Sequence, residues 1–412
     1  MADSDSLKVP FSRPSISKEE ETGVLDVLRS GWLTTGKQAL AFEKEFSYYM
    51  NKVDDSVIAA RKAAGLSVKD VISLAVNSAT SGMTLAMEAC GVKPGTTVIT
   101  TPYTFVSTAA CAKHLGADVL FADIEKDSYS IDVDKVEKLL AADTNKKKIV
   151  AVVPVHIAGN VCDMERLVEL AHKYNVKVIE DAAHAFPSLT KLGYAGTICD
   201  AGVFSFYVTK TMTTAEGGMV CVRDQALAKR MTVMRMHGMD RTTWDRYTSP
   251  RASWEYDIVD LGWKFNLPDL LAVIGRVQLA RANEFFEARK KIVSLYNKAF
   301  SGMDFIQVPP DGEGNAWHLY LARLNLDKLK ISREEFAKAL QKEGIGISVH
   351  FIPLFHFKYW QNVEPAFRAM NFPNAESQYQ RTITLPLWPD MTEKMAEDVI
   401  SAVKKIGEAN HA

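Results

Sequence analysis

From about residue 71 to residue 223 the chain alternates short apolar runs with stretches of helical period, which restricts the folds open to it. The spacing predicts strands over 71–76, 97–100, 118–122, 149–155, 176–179, 203–207 and 219–222. Helical stretches such as 81–90, 133–140 and 164–174 fall between most of them. Such alternation implies an α/β domain with a mostly parallel sheet buried on both faces. In sheets of that kind ligands gather at the C-terminal ends of the strands. The 412 residues are too many for one ordinary core. The style changes at Pro268, which suits the first turn of one long helix reaching about Phe300. Beyond it, strands over 317–324 and 347–351 and helices over 333–343 and 393–406 predict a small α+β domain. The expected division is 1–266 for an arm and the large domain, 267–300 for the connecting helix, and 301–412 for the small domain.

Two strand ends carry the chemistry. The run Val178-Ile179-Glu180-Asp181-Ala182-Ala183-His184 is an apolar strand that finishes on an acid. The next, Phe204-Ser205-Phe206-Tyr207-Val208-Thr209-Lys210, finishes near a lysine and leads into Glu216-Gly217-Gly218. Pyridoxal 5'-phosphate (PLP) chemistry needs this pair: a lysine to hold the cofactor as a Schiff base and an acid to keep the pyridine nitrogen protonated. Other residues gain meaning beside them. Asn77-Ser78-Ala79-Thr80-Ser81-Gly82 opens a helix after the first strand, and a helix N-terminus offers free N–H groups to a phosphate. It also fits an ordinary helix cap. Phe105, after the second strand, suits either ring stacking or core packing. His184 suits the cofactor's phenolic oxygen or a structural place. Ser205, and Gly217 with Gly218, complete the set at the strand ends.

Other chemistries find little support. Neither a G-x-x-x-x-G-K-[ST] loop nor a G-x-G-x-x-G turn stands between strand and helix, and no G-x-S-x-G elbow occurs. The net charge of −1 gives no global attraction for nucleic acid or an anionic membrane. Cys90, Cys111, Cys162, Cys199 and Cys221 fall in no C-x-x-C spacing and read as reduced thiols of a cytoplasmic protein without structural metal. No apolar stretch reaches membrane-spanning length, and residues 1–8 lack the apolar core of a secretory signal.

With these residues in place the chain resembles the StrS-type (DegT-type) sugar-nucleotide aminotransferases over nearly its whole length. The resemblance is carried by Ser30–Gly36, Ser78–Met83, Pro154–Gly159, Glu180–Ala185, Ser205–Gly218, Ala316–Leu319 and Leu385–Pro389. Phe11-Ser12-Arg13-Pro14, the Gly31–Gly36 block, the Ser78–Met83 turn and Gly262–Leu267 make it look most like members that aminate carbon 4 of a UDP-4-keto-pentose. The resemblance implies an aspartate-aminotransferase-like fold, L-glutamate as amino donor (2-oxoglutarate as its product) and a nucleotide-linked keto sugar as acceptor. It implies that Lys210 bears the cofactor, Asp181 meets the pyridine nitrogen, Phe105 stacks on the ring and His184 lies beside it. Thr80, Ser81 and Ser205 bind the phosphate. It also implies a homodimer in which the 262–267 loop, with Lys264 and Asn266, enters the partner's site. Many members carry Asn where this chain has Lys264, so that lysine is expected to meet either phosphate or substrate. Arg241, Arg246 and His350 are candidate substrate contacts. The first two lie in a polar stretch with Trp244, Tyr247 and Trp254 that also fits a solvated loop. The family's dehydratases have histidine in place of the lysine, which sets Lys210 against that alternative. A non-catalytic regulator on the same scaffold is a second alternative, and the Asp181–Lys210 pair speaks against it. Residues 51–69 stand out as an insertion with an Ala-rich surface helix.

Overall fold

A computed structural model describes residues 7–143, 148–240, 255–364 and 367–412. The large domain is built on strands β1 (Ile72–Val76), β2 (Thr97–Thr100), β3 (Asp118–Phe121), β4 (Ile149–Val152) and β5 (Lys177–Asp181). A small hairpin, β6 (Leu189–Thr190) and β7 (Gly193–Tyr194), precedes β8 (Ala201–Ser205) and β9 (Gly218–Val222). Seven of these form one sheet in the order β1-β9-β8-β5-β4-β2-β3. All run parallel except β9, which is antiparallel to both neighbours. The sheet is covered on both faces, as the continuous apolar runs predict. Val203 and Val220 face one apolar cluster, and the next residues along, Phe204 and Met219, face the opposite one.

The crossing helices begin and end on local signals. The Asp163 carboxylate accepts the Arg166 N–H at the start of Met164–Tyr174, and Asn175, with φ of 52°, closes it in the left-handed region. Ser17 with Glu20 and Ser332 with Glu335 form reciprocal caps on Lys18–Ser30 and Arg333–Lys342. Each cap satisfies N–H groups that the first helical turn leaves unbonded.

Where one connecting helix was expected there are two, Asp269–Ala280 and Ala282–Phe300, joined at Arg281. Neither proline nor glycine marks the joint. The Arg281 guanidinium is held by Ser15, Glu20 and Glu284, so a tertiary grip fixes the bend. The small domain is an antiparallel sheet of β10 (Ile306–Gln307), β11 (Tyr320–Leu324) and β12 (Thr382–Leu385). Helices Arg333–Lys342 and Glu393–Ala409 pack against it. Val9 also lies in this core, bonded to Gly344 and Gly346, so the start of the N-terminal arm packs on the small domain.

The 51–69 segment is more than a surface decoration. Its helix, Asp55–Ala63, turns Arg61 inward until 1% of it is exposed. The guanidinium donates to the carbonyls of Ser67, Leu192, Thr197 and Ile198. The same 192–199 stretch offers its Gly196, Ile198 and Cys199 N–H groups to the buried Glu180 carboxylate. One loop is thus held from both sides, beside the strand that carries Asp181. Among the described residues no helix is long and apolar enough to cross a membrane.

Candidate active site

The parallel strands bring their C-terminal ends to one edge of the sheet, and β9 starts from the same edge because it runs the other way. A cavity of about 390 Å³ opens there, between the large domain and residues 318 and 350–351 of the small-domain region. Asp181, Lys210, His184, Ser205, Thr80, Phe105 and His350, read from separate parts of the sequence, all line it.

Asp181 ends β5 and is 7% exposed. Its Oδ2 accepts the Thr108 hydroxyl at 2.7 Å and its Oδ1 accepts the Ala183 N–H at 3.2 Å. Burial pushes its carboxyl up, while Thr108, Ala183 and Lys210 each pull it down. Burying a carboxylate costs several kcal/mol unless a cation and hydrogen bonds answer it. Two donors are a thin answer, so this carboxylate is suited to a further cationic partner in the cavity. Lys210 stands on the other side. Its segment leaves β8 and is held by the Phe206 carbonyl, which accepts both the Thr213 hydroxyl and the Thr214 N–H. Burial pulls the Lys210 ammonium down to about 8, partly offset by Asp181. A lysine so shifted spends much more time as the neutral amine, the form that attacks carbonyls.

Three histidines close the far wall. The His184 Nδ1 accepts the Ala158 N–H at 3.2 Å, and its ring meets His318 edge-on at 4.5 Å. His350 stacks on Phe11 and its Nδ1 pairs with the Thr384 hydroxyl at 3.1 Å. Burial first, then the Lys210 charge, push His184 and His318 well below the ordinary value and His350 to about 4. All three are therefore neutral near pH 7 and can orient a group without adding charge.

The opposite end suits an anion. Helix Ala79–Ala89 points its N-terminus at the cavity, where Ser78, Ala79 and Thr80 line the wall together with Ser205 and Gly217. Glycine is required beside it: a Cβ on Gly218 would stand 2.8 Å from the Ala79 nitrogen and the Phe204 carbonyl oxygen. Phe105, 58% exposed, lines the same cavity with its ring 6.1 Å from that of Phe351. Anion cradle, exposed aromatic ring, buried acid and low-pKa lysine together fit a flat phosphorylated pyridine aldehyde such as PLP.

Some expected residues stand elsewhere. Ser81 lies a turn inside the helix, where its hydroxyl bonds Asn77 and Ser78, so it stands off the cavity wall. Lys264 and Asn266 are also off this wall. The Lys264 ammonium meets the Met236 sulfur at 3.3 Å and the Asn266 amide bonds the Thr35 hydroxyl. Their backbone nonetheless runs beside the anion cradle, where the Phe265 carbonyl accepts the Asn77 N–H. Arg241 and Arg246 lie outside the described residues. The predicted strand over 347–351 is instead a single bridge at Ser348, after which the chain turns His350 and Phe351 into the cavity.

Thr108 and His318 join the site without having been singled out for it. Thr108 follows Thr104 by four residues across the start of helix Ser107–His114, and their hydroxyls are bonded at 2.8 Å. That spacing was the available signal. For His318 it was the place of the Ala316–Leu319 block, since no metal-type spacing surrounds the residue.

Comparison with known proteins agrees with this geometry. A model of the DegT/DnrJ/EryC1/StrS aminotransferase family matches residues 14–404. The chain is 40% identical over 401 residues to the spore coat polysaccharide biosynthesis protein SpsC of Bacillus subtilis (strain 168), covering 97% of each chain. The putative sugar aminotransferase Spr1654 from Streptococcus pneumoniae, in its PMP form, superposes with a TM-score of 0.85 at 29% identity, covering 98% of this chain and 100% of that one. Its PLP form gives 0.84, with 97% and 99% covered, also at 29%. Helicobacter pylori PseC, an aminotransferase involved in the biosynthesis of pseudoaminic acid, gives 0.82 at 26% identity, covering 97% and 99%.

Proposed function

The chain belongs to the DegT/DnrJ/EryC1/StrS aminotransferase family, and from that premise we propose that it moves an amino group from L-glutamate to a nucleotide-linked keto sugar, at carbon 4 of a UDP-4-keto sugar. It is a PLP-dependent sugar aminotransferase by family and by fold. The observation that carries the reading is the convergence of Lys210 and Asp181, from two adjacent strands, on one cavity beside a helix N-terminus. A sugar as acceptor is supported by SpsC and PseC, whose names place them in polysaccharide and pseudoaminic acid biosynthesis.

The bound cofactor supplies an electron sink for the carbon that loses its proton. The residues of this chain supply the rest. Ser78, Ala79, Thr80 and Ser205 would hold the phosphate end through N–H groups and hydroxyls, and Phe105 would cover the ring. Asp181 would keep the pyridine nitrogen protonated by offering it a buried negative charge. Lys210 would bear the cofactor at Nζ and, as the free amine, would take up and return the proton of the reacting carbon. The neutral His184 would orient the ring oxygen, and the small-domain histidines bound the space left for substrate. We further propose that the enzyme is a dimer whose sites are completed by the partner's 262–267 loop, and that it works in the cytoplasm. Five cysteines without disulfides suit that compartment.

The test supplies purified enzyme with glutamate and a panel of UDP-, GDP- and dTDP-linked 3-keto and 4-keto sugars, and follows amino-sugar formation by mass spectrometry. Preferred turnover of a UDP-4-keto sugar is expected. Turnover of a 3-keto sugar alone would overturn the carbon assignment, and no turnover of any member would overturn the acceptor class.

A further inference from the structure

Arg289 lies on the Ala282–Phe300 helix and is 3% exposed. It does not line the cavity. A buried guanidinium costs several kcal/mol unless a carboxylate and hydrogen bonds answer it. Arg289 is answered sparsely. Its Nη1 donates to the Thr211 carbonyl at 3.2 Å, and its buried Nε has no hydrogen-bond partner among the described residues. Asp390 acts on it through space, but that exposed carboxylate bonds the Ser15 hydroxyl instead.

The location of that one bond gives it meaning. Thr211 directly follows Lys210. The segment from Phe206 to Thr214 is pinned at its ends, by the Phe206 carbonyl and by Gln278, which accepts the Thr213 N–H at 3.3 Å. Between those pins, the Thr211 carbonyl is the point where the connecting helix grips the backbone beside the lysine. The Arg289 charge also reaches His318 on the cavity wall and favours its neutral form.

We propose that Arg289 is a positioning residue for Lys210: through the Thr211 carbonyl it fixes the backbone from which the lysine reaches toward Asp181. This rests on the reading of Lys210 as the cofactor-bearing lysine. Misplacing a reacting group by about 1 Å can cost up to about a hundredfold in rate. Because the grip comes from the helix that leads into the small domain, the lysine's placement is tied to that domain as well.

The test compares wild type with Arg289→Met, Arg289→Gln and Arg289→Lys. Hydrogen exchange is measured on cofactor-free protein, and steady-state kinetics and borohydride fixation on the loaded enzyme. For Met and Gln, exchange across 207–213 should rise about tenfold with other segments unchanged. kcat should fall about tenfold or more, with KM for both substrates within about twofold. Arg289→Lys, which keeps the charge, should recover part of both losses. Met and Gln are run in parallel, and whichever purifies folded decides. If both unfold, Arg289→Lys decides alone, with an intermediate loss in exchange protection and kcat expected and wild-type values in both overturning the proposal. Faster exchange without a kcat loss, or a kcat loss without faster exchange, would overturn it. Cofactor fixed by borohydride to another lysine in wild type would instead remove the reading of Lys210 on which it rests.

Discussion

At the scale of single residues the site depends on two buried groups, Lys210 and Asp181, whose titration burial shifts in opposite directions. Lys210 titrates near 8 because it is buried, and the Asp181 charge limits the shift. In cofactor-free protein its amine should react with an amine-directed reagent with a midpoint near pH 8, followed at Lys210 by mass spectrometry. In Asp181→Asn the charge that favours the ammonium is gone, so the midpoint should move lower still. A midpoint near 10, or one that ignores the Asp181 change, would contradict this geometry. The shift also has a sign for stability. Between about 8 and the ordinary 10.5 the unfolded chain binds more protons than the folded one. The lysine's contribution therefore becomes more favourable as pH rises through that window, and its burial cost is fully felt below it. Asp181→Asn should still fold, being nearly isosteric, and should lose about a hundredfold or more in turnover, as loss of one well-placed electrostatic partner does. Wild-type turnover in that variant would refute the role.

Among elements, those legible in the sequence were the ones whose residue pattern follows directly from burial. The strands of the large sheet and the 164–174 helix follow from apolar runs and caps, because each burial pattern there has one geometric solution. The meeting of Asp181 and Lys210 at one cavity was readable because both follow strands whose ends share one edge of the sheet. Elements fixed by distant partners were not. The bend at Arg281 depends on Ser15 and Glu20, and the turn after Ser348 follows a pair of backbone bonds to Thr384. The Ser81 hydroxyl bonds back to Asn77 and Ser78, a choice among cap hydroxyls that sequence does not show. The 51–69 helix is the clearest case, because an arginine in an Ala-rich amphipathic stretch reads as solvated. Arg61→Ala should strip donors from buried carbonyls and lower stability by about 3 kcal/mol, read from a denaturant midpoint at unchanged slope. An unmoved midpoint would mean that the loop holds without the clasp.

For the whole molecule, the 262–267 loop lies against the anion cradle through its backbone while its Lys264 and Asn266 side chains stay off the cavity of their own chain. That arrangement suits a loop that serves a second copy. Mixing Lys210→Ala with a variant altered to Ala at both Lys264 and Asn266 should then restore activity from two inactive proteins. Random exchange makes half the dimers mixed, each with one intact site, so recovery to about a quarter of wild type is expected. Mixed dimers shown to form but inactive would argue that the loop serves its own subunit.

The reversed strand β9 has one more consequence, for the order in which the molecule is assembled. Its pairing with β8, from Ser205–Gly218 outward, is a hairpin closed by residues 206–217, so the lysine's segment is fastened at both ends by contacts close in sequence. The bond from Thr108 to Asp181 spans 73 residues, and Thr211 waits for Arg289, 78 residues on. Local pairings close faster than distant ones. Framing the lysine's loop therefore carries a small closure cost, whereas the acid's hydroxyl partner and the helix that grips that loop must be brought in across far longer stretches of chain.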